Sequence, residues 1–142
     1  MAFDVDRLLD LWTQPPTVTA DAVQAFRELY HDPVLVNGSP IPAEDLVSRA
    51  RVLKAAFENV QREVLDVCDA GSKVAIAFRL GGRHVGPLNT SIGALEPTGE
   101  DISLRAIDIF TIVDGRIASI VMVADVLGVL AAVGAVTLPD TQ

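Results

Sequence analysis

Between Leu104 and Asp125 the chain reads LRAIDIFTIVDGRIASIVMVAD, two β-branched apolar runs on either side of Val113-Asp114-Gly115-Arg116. An Asp-Gly pair supplies the positive-φ residues that a two-residue turn needs, so the segment is predicted to fold back on itself as a long antiparallel hairpin. The strand period of two puts Asp108 on one face with Leu104, Ala106, Phe110 and Ile112. A carboxylate left bare among apolar side chains costs several kcal/mol, so Asp108 must be paired, protonated or lining a cavity. It is the first candidate functional residue.

The rest of the chain sets bounds on what that hairpin belongs to. With 142 residues it forms a single domain spanning 1–142, with a core over about residues 19–134 and a short acidic tail at 137–142. Eleven Lys plus Arg stand against 19 Asp plus Glu, a net charge of −8 that repels phosphate backbones and anionic lipid, so neither nucleic acid nor a membrane is an expected partner. Cys68, the single cysteine, has no internal partner and lies in an alternating run, which reads as a small core residue in a reducing compartment. The start, MAFDVDRLLD, lacks a basic leader pattern, and a cytoplasmic location is expected. Residues 117–136 are almost wholly apolar, but Asp125 in mid-segment, two glycines and the absence of an aromatic belt favour a buried strand followed by a short helix over a membrane span.

In chain order, a helix is predicted from about Phe3 to Trp12, stopped by Pro15-Pro16. Thr19 is a plausible N-cap for a second helix, Ala20 to Leu29, with Val23, Phe26 and Leu29 at helical spacing. Pro33 to Val36 reads as a short strand ended by Asn37-Gly38. A third helix follows Pro42, its apolar face running through Leu46, Ala50, Leu53 and Phe57 to Val60. Strands then run Glu63 to Cys68 and Lys73 to Leu80, and Gly81-Gly82 bends the chain into Arg83-His84-Val85-Gly86. A loop through Pro87 and Pro97-Thr98-Gly99 leads to the hairpin, and a helix over Val126 to Val133 ends at Gly134. Helices first and long antiparallel strands after make an α+β pattern, a curved antiparallel sheet wrapped around N-terminal helices.

Several motifs now carry a resemblance. Gly82-Arg83-His84-Val85-Gly86, Pro97-Thr98-Gly99, Ala106-Ile107-Asp108-Ile109-Phe110, Asp114-Gly115-Arg116-Ile117 and Asp125-Val126-Leu127-Gly128-Val129-Leu130, in that order, resemble the SnoaL-like polyketide cyclases of the nuclear-transport-factor-2-like fold. The resemblance implies a cone-shaped α+β barrel and a cofactor-free pocket for a hydrophobic small molecule. In those cyclases the acid/base carboxylate closes a Glu-His-Trp-Asp segment on the last strand; here the matching residues are Ser119-Ile120-Val121-Met122. The related ketosteroid isomerases place a base just after the first strand, which falls on Asn37 or Gly38, and an Ile-Asp oxyanion donor, which falls on Asp108. Epoxide hydrolases of this fold use an Arg-x-Asp pair, whereas Arg105 and Asp108 stand three apart and face opposite sides of a strand.

These readings define the candidates. Asp108 would serve as the acid/base group, because an apolar surround raises a carboxyl pKa toward neutrality. Asn37 or His31 would hold a substrate oxygen, and Trp12, Tyr30, Phe57, Phe78, Phe110 and Met122 would line the ligand site. Asp125 reads as a helix cap and His84 as structural. No spacing of His, Cys and carboxylates fits a metal, and no cofactor is expected. One expectation is therefore an enzyme of cyclase or isomerase type acting on a polyketide- or steroid-like carbonyl compound. The other is a non-catalytic module that binds a hydrophobic ligand or docks a partner, because Met122 replaces the usual last-strand Asp. The long apolar hairpin further leads us to expect a homodimer through the sheet.

Overall fold

The first helix, α1 (Val5–Thr13), starts where Asp4 can accept a hydrogen bond from the Arg7 amide at 3.0 Å, and it turns Leu8, Leu9 and Leu11 inward. That and all that follows comes from a computed structural model, which describes residues 2–140. Helix α2 (Thr19–Leu29) buries Ala22, Phe26 and Leu29. Thr19 lies inside it, and Val18, at the cap position, offers no side-chain bond. Strand β1 (Tyr30–Val36) turns back through Asn37-Gly38 into β2 (Ser39–Ile41). Helix α3 (Ala43–Ala56) follows, and the capping acceptor that Pro42 cannot supply comes from Asp32, whose Oδ1 accepts from the Ala43 amide at 3.0 Å.

The third helix stops at Ala56, four residues short of the expected Val60. Phe57 is already extended and pairs with His84, so β3 runs Phe57–Asp69 against β4, Lys73–His84. A sheet partner overrides helical spacing there, because pairing with β4 satisfies main-chain groups that a frayed helix end would leave open. Strand β4 also passes beyond Leu80 instead of ending at Gly81-Gly82. A Cβ on Gly81 would collide with the Ile102 carbonyl, so glycine lets β4 lie close against β7 and keep pairing. In the connecting segment, β5 (Leu88–Thr90) and β6 (Gly93–Leu95) form a small hairpin of their own.

The organising hairpin is β7 (Asp101–Val113) with β8 (Arg116–Ala124), and Val113 faces Arg116 across the turn. Asp114 and Gly115 have φ of 52° and 77°, the two left-handed positions the Asp-Gly pair predicts. The last helix, α4 (Val126–Ala132), is capped by Asp125 Oδ1, which accepts from the Gly128 amide at 2.9 Å. The six long-sheet strands lie in the order β2-β1-β8-β7-β4-β3, with β1 parallel to β8 and the other neighbours antiparallel. The sheet curves without closing, so β2 and β3 are free edges.

Its concave face packs on α1, α2 and α3 through Val74, Ile76, Phe78, Ala106, Phe110, Ile117 and Ile120. A second cluster at the other end joins Ala56, Phe57, Leu88, Ile102 and Val129. The convex face carries exposed apolar residues, Ile107, Ile109, Val121 and Val123 among them. Cys68 lies on that outer side, in register with Ala75, Ile109 and Val121, and is exposed. The expectation of a core cysteine is thus corrected: alternation places a residue on one face but does not say which face is covered.

Candidate active site

Strand β7 alternates as expected, with Ala106, Asp108 and Phe110 buried and Arg105, Ile107 and Ile109 exposed. Asp108 faces Ile76 on β4 and Met122 on β8. Across this one row exposure rises from 0% at Ile76 to 9% at Asp108 and 39% at Met122, so the carboxyl stands where the concave face passes from packed core to solvent. Asp108 Oδ1 is buried and, among the described residues, has no hydrogen-bond partner. Loss of water around the carboxyl pushes its pKa from 3.8 up to about 7.

Beside it, Tyr30 is fully buried at the start of β1, and its ring stacks on Phe26 with centroids 5.8 Å apart. Trp12 meets Phe26 edge-on at 5.3 Å and donates its indole N–H to the Tyr30 oxygen at 2.7 Å. Burial raises the Tyr30 pKa, the Trp12 bond offsets part of that rise, and the Asp108 charge adds to it. Tyr30 is therefore a neutral phenol near Asp108, and because its oxygen accepts from Trp12 its own O–H is left to donate elsewhere.

The other sequence candidates fall in four places. Phe78 and Phe110 flank Asp108 on the concave face, one row to either side, and Phe3 covers Phe110 with ring centroids 5.6 Å apart. Phe57 lies in the second cluster, 6.3 Å from the His84 ring. His31 sits at the opposite end of β8, where Nε2 meets the Val113 carbonyl at 2.7 Å; Val113 is five residues from Asp108, about 17 Å along the strand. Asn37 directs both ends of its amide to the main chain of Met122, donating from Nδ2 to its carbonyl at 3.2 Å and accepting at Oδ1 from its N–H at 2.9 Å.

His84 is wholly buried and engages Thr98 through Nδ1, which accepts from the Thr98 amide at 3.2 Å. Arg105 lies on the outer face, so no Arg-x-Asp pair forms. The Trp12–Tyr30 bond is the feature that sequence reading missed; a lone Trp and a lone Tyr 18 residues apart carry no local sign of it. Two open depressions, about 380 Å³ over Gly81, Gly82 and Ser103 and about 340 Å³ between α1 and α2, lie elsewhere, and neither is lined by Asp108. Among the described residues no cluster of His, Cys and carboxylates has metal-binding geometry, and no helix is long and apolar enough to cross a membrane.

The order of helices and strands around a curved sheet, with one carboxyl on its concave face, defines a SnoaL-like, nuclear-transport-factor-2-like α+β fold. The chain belongs to the SnoaL-like polyketide cyclase family, whose model matches residues 5–133. Among solved structures it is similar to TsrD from Streptomyces laurentii, 22% identical with a TM-score of 0.76 and 92% of each chain covered. It is also similar to a SnoaL-like polyketide cyclase from Agrobacterium tumefaciens, 13% identical, TM-score 0.69, covering 91% of this chain and 96% of that one. IdmH from Streptomyces antibioticus is 20% identical with a TM-score of 0.65, covering 91% and 96%. At such identities these likenesses speak for the fold alone. No curated protein matches the chain.

Proposed function

We propose that this protein is a cofactor-free enzyme that transfers a proton on a hydrophobic, polyketide- or steroid-like carbonyl compound, in a cyclase or isomerase reaction. The observation that carries the reading is Asp108: a carboxyl on an apolar face, with one oxygen unpartnered and a pKa pushed up to about 7. A group balanced at that value is present near neutrality both as base and as acid. The carboxylate removes a proton α to the substrate carbonyl and the electron pair moves onto the carbonyl oxygen. Tyr30 O–H, held by Trp12, replaces Asn37 and His31 as the donor that stabilises this oxygen. Asp108 then returns the proton, to another carbon in an isomerisation or to the new alkoxide when the enolate carbon closes a ring.

The test is deuterium uptake from D2O at the α-carbon of hydrophobic 1,3-diketones and 3-ketosteroids, followed by mass spectrometry. Uptake faster than the enzyme-free rate with the wild type and loss of that excess in Asp108→Asn support the reading; an undiminished excess in Asp108→Asn refutes it. A second reading, a hydrophobic-ligand carrier or docking module, is favoured by Met122, which gives the open side of the row a greasy wall where the family's cyclases have a carboxylate. Saturable thermal stabilisation by these compounds with uptake no faster than the enzyme-free rate would decide for it. We also propose that the exposed face of Ile107, Ile109, Val121 and Val123 meets a second copy of the chain. Ile107→Glu would then abolish a dimer seen by sedimentation, and a monomeric wild type would remove the idea.

A further inference from the structure

Strand β8 outruns its parallel neighbour. Pairing with β1 ends at Val36 opposite Ile120, and the Asn37 amide gives its hydrogen to the Ile120 carbonyl at 2.9 Å. Past that point the flank of β8 has no strand beside it, yet the Met122 N–H and C=O are both satisfied, by the Asn37 side chain at 2.9 and 3.2 Å. Since both of these main-chain groups point away from β7, Met122 and Asp108 form a non-hydrogen-bonded pair, the closer type, with α-carbons about 4.5 Å apart and side chains on one face. Met122 is thus the last side chain between Asp108 and water on that row.

The turn by itself does not call for this amide. Asn37 and Gly38 have φ of 49° and 87°, and glycine at position 37 would meet the backbone requirement better than asparagine does. What asparagine adds is the two-point grip on β8.

We propose that Asn37 is a positioning residue: its amide clamps the Met122 main chain and so holds the Met122 side chain as the wall that keeps water off Asp108. This rests on the reading of Asp108 as the proton-transfer group. Ile76 and Met122 carry no charge and Tyr30 is a neutral phenol, so Asn37→Gly alters no charge facing Asp108. A change in its titration then reports access of water.

The experiment is carbon NMR of the Asp108 carboxyl from pH 5 to 9, assigned by its loss in Asp108→Asn. In the wild type a midpoint near 7 is expected, and in Asn37→Gly a midpoint lower by about one pH unit or more, toward the ordinary range. Asn59→Gly, at another positive-φ asparagine in β3, should leave the midpoint in place. A wild-type carboxyl already ionised at pH 5, with no midpoint up to pH 9, would overturn the role of Asp108 itself; a wild-type value near 7 that Asn37→Gly leaves unmoved would overturn the clamp alone. Amide exchange in the unmutated protein tests the grip even if Asn37→Gly does not fold. The Met122 amide should be protected by about tenfold or more relative to an unstructured chain, and unprotected exchange there would sink the proposal.

Discussion

Replacing Asp108 with asparagine should stabilise the protein, and by an amount that depends on pH. Below the carboxyl's ordinary pKa of 3.8 the group is neutral in folded and unfolded chains alike. Between 3.8 and about 7 the folded chain still holds a proton that the unfolded chain has lost. Stability then falls by about 1.4 kcal/mol per pH unit as pH rises, reaching a full cost of about 4 kcal/mol above neutrality. Asparagine has nearly the same shape and cannot ionise, so the slope disappears in the variant.

The sequence pI near 4.5 makes precipitation a hazard at low pH, so urea unfolding of both proteins is best compared from about pH 5.5 to 8. Across that range the gap should widen by about 2 kcal/mol, of order 4–8 °C in melting temperature for a domain of this size. All other carboxylates are common to the two proteins and cancel in the difference. A gap that stays flat with pH would mean that Asp108 titrates as an ordinary exposed carboxyl and that burial does not raise its pKa. The cost itself has a functional logic: a group kept poised at neutrality is bought with stability.

Other substitutions test the surrounding structure. Tyr30→Phe leaves the half-buried Trp12 N–H without its acceptor and should cost about 1 kcal/mol, read by urea denaturation, while also slowing deuterium uptake on any substrate found. Asp32→Ala removes the cap on the Ala43 amide and the 2.9 Å pair with Arg27, for a loss of about 1 kcal/mol. Hydrogen bonds from Ala43 and Arg27 hold the Asp32 carboxyl below its usual range, so this contribution is present above pH 4, fades on further acidification, and should be absent from the variant's pH profile. Gly81→Ala forces a methyl into the Ile102 carbonyl and should cost about 2 kcal/mol or more, read by the same urea denaturation.

The hairpin, its Asp-Gly turn, the inward Asp108 and the Asp125 cap were legible in the sequence because each depends on residues within a few positions of one another. Side-chain period and turn chemistry are local properties, and they survive whatever the rest of the chain does. What surrounds Asp108 was not legible. Asn37 lies 85 residues from Met122 and Trp12 lies 18 from Tyr30, and these pairs meet only because β1 returns parallel to β8 with the helices laid across the same face. The extended start of β3 at Phe57, where helical spacing pointed to more helix, was decided by a strand partner 27 residues on. Which face of the sheet is covered, and so why Cys68 and Ile107 are open while Asp108 is enclosed, depends on where the helices dock. Local physics placed the acid on a face; tertiary packing removed the water around it and so moved its pKa.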